Sequence, residues 1–245
     1  MATVRRRGFY GFDAPFLLPV FGVLVLINIL EGCYSRSIWP ILIAGILTGC
    51  AGFGLYASLR GKFVVWSELL EGLRLRGDER ILDMGCGRGA VLLLAAQRLT
   101  AGQAVGADIW RKQDQSGNTI ASTHRNAEAE GVADRIELHT ADMRALPFPD
   151  ASFDVVVSSL AIHNIKGSAG RNQAIDEAVR VLRPGGRVLI VDIFATRQYF
   201  ARLSQAGMLN VARRSLGMRL WWGGPWVPTH LVSATKPGAS EPPVV

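Results

Sequence analysis

The chain has 245 residues, a net charge of +7 and three cysteines, enough length for one α/β domain plus an appendage and too little cysteine for a disulfide framework. By region, residues 1–62 carry +4, residues 63–194 carry −2 and residues 195–245 carry +5. Positive charge at two ends flanking an acidic middle fits an anionic membrane surface better than a nucleic-acid groove, and the dispersed Cys33, Cys50, Cys86, His124, His139, His163 and His230 show no metal-ligand spacing.

Arg5, Arg6 and Arg7 precede an apolar run from Ala14 to Leu30, and a second run extends from Ile38 to Leu59 before Arg60 and Lys62. As helices the first would span about 26 Å and the second more than the roughly 30 Å of a bilayer core. Basic residues at both outer ends predict a two-pass transmembrane hairpin over 1–60, with both termini and everything after residue 60 in the cytoplasm. A cleaved signal peptide is a rival reading, since Arg6-Arg7-Gly8-Phe9 has a twin-arginine look. The second long run and the lack of a small-x-small cleavage site argue against it. A lipoprotein anchor at Cys33 meets Glu31 two positions earlier, where a small or apolar residue is expected. A buried hairpin in a soluble fold, or a first segment broken at Pro15 and Pro19, stays open.

Gly61 to Leu75 reads as an amphipathic helix, with Phe63, Trp66, Leu69, Leu70 and Leu73 at helical spacing, so 61–78 forms a linker that can roof a site. The stretch I-L-D-M-G-C-G-R-G from Ile81 to Gly89 has the pattern of a buried parallel strand ending in a tight turn that opens a helix, here Ala90 to Leu99. A dinucleotide fingerprint requires G-x-G-x-x-G, whereas these glycines are spaced G-x-G-x-G. A second strand from Gln103 ends at Asp108, where a strand-tip carboxylate can accept from both hydroxyls of a ribose. Then follow a polar loop over 111–118, a helix Thr119 to Glu130, a strand Arg135 to Thr140, the turn around Pro147 to Asp150, and a strand Val155 to Ser159. A helix Asp176 to Leu182, the turn Arg183 to Gly186, and a strand Arg187 to Phe194 come next. A helix near Tyr199 to Ala206 leads to two strands, Leu209 to Leu216 and Thr229 to Thr235, paired antiparallel across the tryptophan-rich Trp221 to Trp226. The domain thus covers 79–236, and 237–245 reads as a disordered tail.

From Arg80 to about Lys236 the sequence resembles class I S-adenosylmethionine-dependent methyltransferases. The resemblance rests on D-M-G-C-G-R-G at 83–89, Asp108, A-D-M at 141–143, L-P-F-P-D-A-S-F-D at 146–154 and V-L-R-P-G-G at 181–186. The run from Leu146 to Asn164 is most similar to the ubiquinone and menaquinone biosynthesis branch, although Arg88 stands where that pattern commonly has threonine. The resemblance implies a Rossmann-like, doubly wound, seven-stranded and mostly parallel sheet with a C-terminal antiparallel pair. It implies that Gly85, Cys86, Gly87 and Gly89 give the methionine part of S-adenosyl-L-methionine access to the backbone and that Asp83 orients its amino group. Asp108, followed by Ile109, would hold the ribose hydroxyls, and Asp142 the adenine amine with Met143 beside it. Ser158 and Ser159 would lie at the methionyl end, and His163 would face the methyl as a base or acceptor-orienting group. With the hairpin and the clustered indoles, the expected acceptor is a lipophilic small molecule reached from the bilayer; the alternatives are a merely tethered enzyme acting on a soluble thiol, amine or phenol, and a non-catalytic cofactor-binding membrane subunit.

Overall fold

A computed structural model of the chain describes residues 6–13, 17–111 and 115–238. Arg5, Pro15 and the expected tail from residue 239 onward lie outside the described residues. Helices α1 (Leu17–Ser35) and α2 (Ile38–Tyr56) form a hairpin, the second capped by Ser37, whose hydroxyl accepts from the Trp39 N–H. Pro19 sits in the first turn of α1, where a missing N–H costs nothing, and does not break it. The two helices cross closely at Gly32, where a Cβ would lie 2.6 Å from Ile41. Their outer faces are uncovered: Val23, Leu26, Leu30, Ile38, Trp39 and Ile46 are all exposed. A Cβ added at Gly45, Gly49 or Gly52 would meet no atom within 4 Å.

The expected break after residue 59 is absent. A π-helical turn, Ala57–Gly61, carries α2 directly into α3 (Lys62–Gly72), so Ile38–Gly72 is one 35-residue helix, about 52 Å long. Its first part is bare, and its last part buries Phe63, Val65, Trp66 and Leu70 in the domain core. Gly61 marks the join: a Cβ there would lie 1.9 Å from the Arg219 carbonyl oxygen. Gly61→Ala gains helix propensity of about 1 kcal/mol but pushes against backbone, which cannot swing aside. We expect a net loss of about 1–3 kcal/mol, read as a melting temperature several degrees lower in detergent. A variant melting with the wild type would show that the seam is loose.

The domain follows the expected winding. Strands β1 (Arg80–Met84), β2 (Gln103–Asp108), β3 (Ile136–Thr140), β4 (Phe153–Ser159), β5 (Leu182–Asp192), β6 (Leu209–Ser215) and β7 (His230–Thr235) form one sheet in the order β3-β2-β1-β4-β5-β7-β6. The first five are parallel, and β7 runs antiparallel to both β5 and β6. Helices α4 (Ala90–Ala96), α5 (Ile120–Glu130), α6 (Ser168–Val181) and α7 (Thr196–Gln205) complete the domain. Two apolar clusters pack it, one joining α3 and α4 with Ile81, Val155 and Leu189, the other joining α6 and Tyr199 with Leu82, Val156 and Ile190. Helix α6 starts eight residues earlier than expected, and β5 includes the Arg183 to Gly186 turn. Order changes sides at β1, and the carboxyl ends of β1, β2, β4 and β5 meet there, which is where an open α/β sheet leaves its crevice.

Candidate active site

A cavity of about 670 Å³ opens along those strand ends. Its floor is the glycine corner after β1. Gly85 has φ of 77°, and a Cβ there would lie 2.3 Å from that of Ala161, so both the backbone angle and the packing require glycine. The Gly85 N–H donates to the Ala107 carbonyl at 2.8 Å, and the Gly87 N–H to Asp108 Oδ2 at 2.8 Å. Gly85, Cys86 and Gly87 face the cavity. Gly89 does not: it turns the chain into α4 against Leu93 and Thr123.

Asp83 lines the cavity yet is 1% exposed, and neither carboxylate oxygen has a hydrogen bond of ordinary geometry among the described residues. Burial, reinforced by the charge of Asp108, pushes its pKa up to about 7, with the Leu92 N–H partly opposing. An orphaned buried carboxylate is costly unless a ligand supplies the missing cation. Asp108 is better supported, with Oδ1 accepting from the Trp110 N–H at 2.6 Å and Oδ2 from Gly87. Ile109 and Met143 flank the cavity. Asp142 also lines it, but both its oxygens receive the Arg144 guanidinium (2.6–3.1 Å), which holds its carboxyl below the usual range. The Cys86 thiol is pushed well above its ordinary pKa by burial, so it is a filler and not a nucleophile. No cluster of metal-binding side chains occurs among the described residues.

Of the two serines ending β4, Ser159 lines the cavity and its Oγ accepts from Trp66 Nε1 of α3 at 2.9 Å. Ser158 is a correction: alternation along the strand turns it into the sheet, where its hydroxyl donates to the Met84 carbonyl at 2.8 Å. His163 sits just beyond β4, in the cavity wall, with Nδ1 2.5 Å from Oδ1 of the buried Asp192 at the tip of β5. The other Asp192 oxygen accepts from the His163 N–H (3.1 Å) and the Tyr199 hydroxyl (3.2 Å). A carboxylate on Nδ1 fixes the imidazole and leaves Nε2 as the nitrogen that can take a proton.

Asp13, Lys62, Gln115 and Trp222 are among the lining residues that were not expected from the sequence. Residues 6–13 run across the domain: the Gly8 N–H donates to Glu130, the Phe9 N–H to Asn126 and the Phe12 N–H to Ser116. Arg88, the departure from the quinone-branch pattern, stacks on Phe9 at 4.9 Å and donates to the Ser116 carbonyl, so it secures this strap. Trp222 joins the cavity to α2, its backbone lying against Gly54 while neighbouring Trp221 packs on Phe53 with ring centroids 5.5 Å apart.

An acidic strand tip thus stands over a glycine corner, beside a second strand-tip carboxylate. Residues 82–190 match the methyltransferase-domain family Methyltransf_11. The chain is similar to the ubiquinone/menaquinone biosynthesis C-methyltransferase UbiE of Roseobacter denitrificans, at 32% identity over 152 residues covering 57% of each chain. It is also similar to the 27-O-demethylrifamycin SV methyltransferase of Amycolatopsis mediterranei, at 38% identity over 49% of this chain and 40% of that one. The chain thus spans only about half the length of the curated relatives it matches. Among solved structures, the geranyl diphosphate methyltransferase in complex with S-adenosylmethionine superimposes with a TM-score of 0.57 at 16% identity, over 71% of this chain and 85% of that one. The [4+2]-cyclase SpnF superimposes with a TM-score of 0.58 at 21% identity, over 71% and 80%. The wound sheet therefore has the fold of these structures, a fold that a methyltransferase and a cyclase share.

Proposed function

We propose that the chain is an S-adenosylmethionine-dependent methyltransferase, held on a membrane by α1 and α2, that methylates a lipophilic small molecule. Asp83 supports the cofactor: a buried carboxylate with no cationic partner among the described residues, beside a bare glycine corner, matches a ligand carrying an α-ammonium next to a thioether or sulfonium. The bound cofactor would supply a methyl already activated by its positive sulfur. The chain's own work is then to orient and to exclude water. Asp83 pairs the ammonium, Asp108 the ribose, Asp142 and Met143 the base, and His163, held by Asp192, takes a proton at Nε2 from a hydroxyl or acidic carbon of the acceptor.

The observation that carries the membrane assignment is the single helix Ile38–Gly72, bare along its apolar half and built into the cavity wall at its other end. A core helix would be covered. The strap adds a topological argument: residues 6–13 bond to α5, so this segment ahead of α1 and the domain after α2 lie on one side, as two crossings require. The relatives named for quinone methylation and the Trp221–Trp222 bridge to α2 favour an acceptor that enters from the bilayer.

Two measurements test this reading. The chain should stay in the pellet after alkaline carbonate washing of membranes. Reconstituted into vesicles, it should transfer labelled methyl to a neutral-lipid extract placed in the same vesicles and not to extract in a separate vesicle population. Equal labelling of both populations, or of water-soluble phenols and thiols instead, would reduce the hairpin to a tether.

A further inference from the structure

We infer that Lys62, the first residue of α3, is the binding residue for the cofactor's α-carboxylate, so that the anchor helix itself is part of the cofactor site. This rests on the S-adenosylmethionine reading above, and it concerns a residue outside the segment that matches the methyltransferase-domain family.

Lys62 is 4% exposed yet lines the cavity. A lysine is almost never this buried without a partner, and the hydrogen bond of its Nζ among the described residues goes to Asp13 Oδ2 at 2.6 Å. That leaves donors of the ammonium free to take a second anionic oxygen. Position follows from two contacts. Asp13 Oδ1 accepts from Gln115 Nε2 at 3.0 Å, and Gln115 Oε1 accepts from the Arg88 N–H at 2.9 Å while lying 2.7 Å from where a Gly87 Cβ would be. One helical turn on, Trp66 bonds to Ser159. Residues four apart share a helix face, so this face of α3 overlooks the gap between the glycine corner and the end of β4, which the methionyl part of the ligand would occupy.

The other cations in the wall are placed elsewhere. Arg144 is committed to Asp142, Arg111 follows β2 near that same carboxylate, and Lys166 belongs to the segment after His163. Asp83 and Lys62 then form a charge pair of opposite sense at the corner, one suited to the α-ammonium and the other to the α-carboxylate of a single amino acid. Asp13 is a positioning residue: it holds the Lys62 ammonium over the cavity and ties it, through Gln115, to the corner, with Ser58 donating to the same carboxylate at 2.9 Å.

The test is calorimetry on the full chain in detergent with two probes, S-adenosylhomocysteine and its decarboxylated analogue, which lacks only the carboxylate. The wild type should prefer the complete ligand by about ten- to hundredfold, the range for one hydrogen bond between charged groups. Lys62→Met should bind the analogue as the wild type does and lose the preference, and Lys62→Arg should keep most of it. A wild type that binds both probes equally overturns the inference without any variant, and so does a Lys62→Met protein that keeps the full preference or weakens both probes alike. A wild type that binds neither probe, with a native melting transition, would instead remove the cofactor reading itself.

Discussion

Affinity for S-adenosylhomocysteine is expected to rise about tenfold between pH 6 and pH 8, and Asp83→Asn is expected to flatten that rise while weakening binding about ten- to hundredfold at pH 8. The cause is the burial that lifts Asp83 to about 7 from an ordinary 3.8. In the free protein the fold keeps a proton that the unfolded chain has already released, so stability is fully present below about pH 4. It is lost as pH rises toward 7. Above 7 the pocket holds an ionised carboxylate with no cationic partner among the described residues. A ligand ammonium supplies that partner, so binding favours the ionised form and strengthens as the carboxyl deprotonates. Asp83→Asn removes the unpaired charge and should therefore raise the melting temperature of the free chain at pH 8 while lowering ligand affinity, a stability–function trade in one residue. Melting curves at pH 5 and pH 8, with calorimetry across the same range, check both halves. Wild-type affinity independent of pH, matched by the variant, would show that Asp83 does not meet the ligand.

The same residue shows how much is legible in the sequence. An apolar run ending in an acid before glycines marks a buried strand whose tip faces a crevice, and on that rule Asp83 is readable; Asp108 follows as the acid that ends the next strand after that glycine turn. Asp192 also ends an apolar run, V-L-I-V-D, but with no glycine turn before or behind its strand to mark a crevice nothing local separates it from an ordinary loop carboxylate. Its role becomes visible only when β4 and β5 lie side by side and bring it to His163. Helix α6 reads short in the sequence because Ser168, Gly170 and Asn172 are weak helix formers. Its first turns are held by tertiary bonds, Arg171 to the Ile165 carbonyl and Gln198 to the Ser168 carbonyl. Gly61, between Arg60 and Lys62, reads as the end of a span. The glycine is there because the Arg219 backbone crosses the helix, a contact 158 residues distant in sequence. The strap has no local signal at all: Asp13 meets Gln115 across 102 residues. Distant pairings of polar side chains leave no periodicity, whereas buried strands do.

His163→Ala is expected to lower turnover about a hundredfold or more on a hydroxyl or acidic-carbon acceptor, the usual worth of a positioned general base, with S-adenosylhomocysteine affinity unchanged. His163 lines the cavity, and its Nδ1 is occupied by a carboxylate that is itself fixed by the His163 and Ile193 backbone N–H groups and the Tyr199 hydroxyl. Asp192→Asn separates positioning from proton transfer. It keeps the shape, but an amide no longer stabilises the imidazolium that forms when Nε2 accepts a proton. The rate on a hydroxyl or acidic-carbon acceptor should fall, with turnover of an already deprotonated acceptor and S-adenosylhomocysteine affinity unchanged. A merely structural Asp192 would lower the yield or melting temperature of the variant and slow both kinds of acceptor alike. The acceptor decides the remaining outcome. An amine or thiolate that arrives already deprotonated needs no base, so His163→Ala with full turnover would assign the methyl to such an acceptor and make the dyad a wall of the pocket. A rate restored to His163→Ala by added imidazole would confirm that the proton leaves through this position.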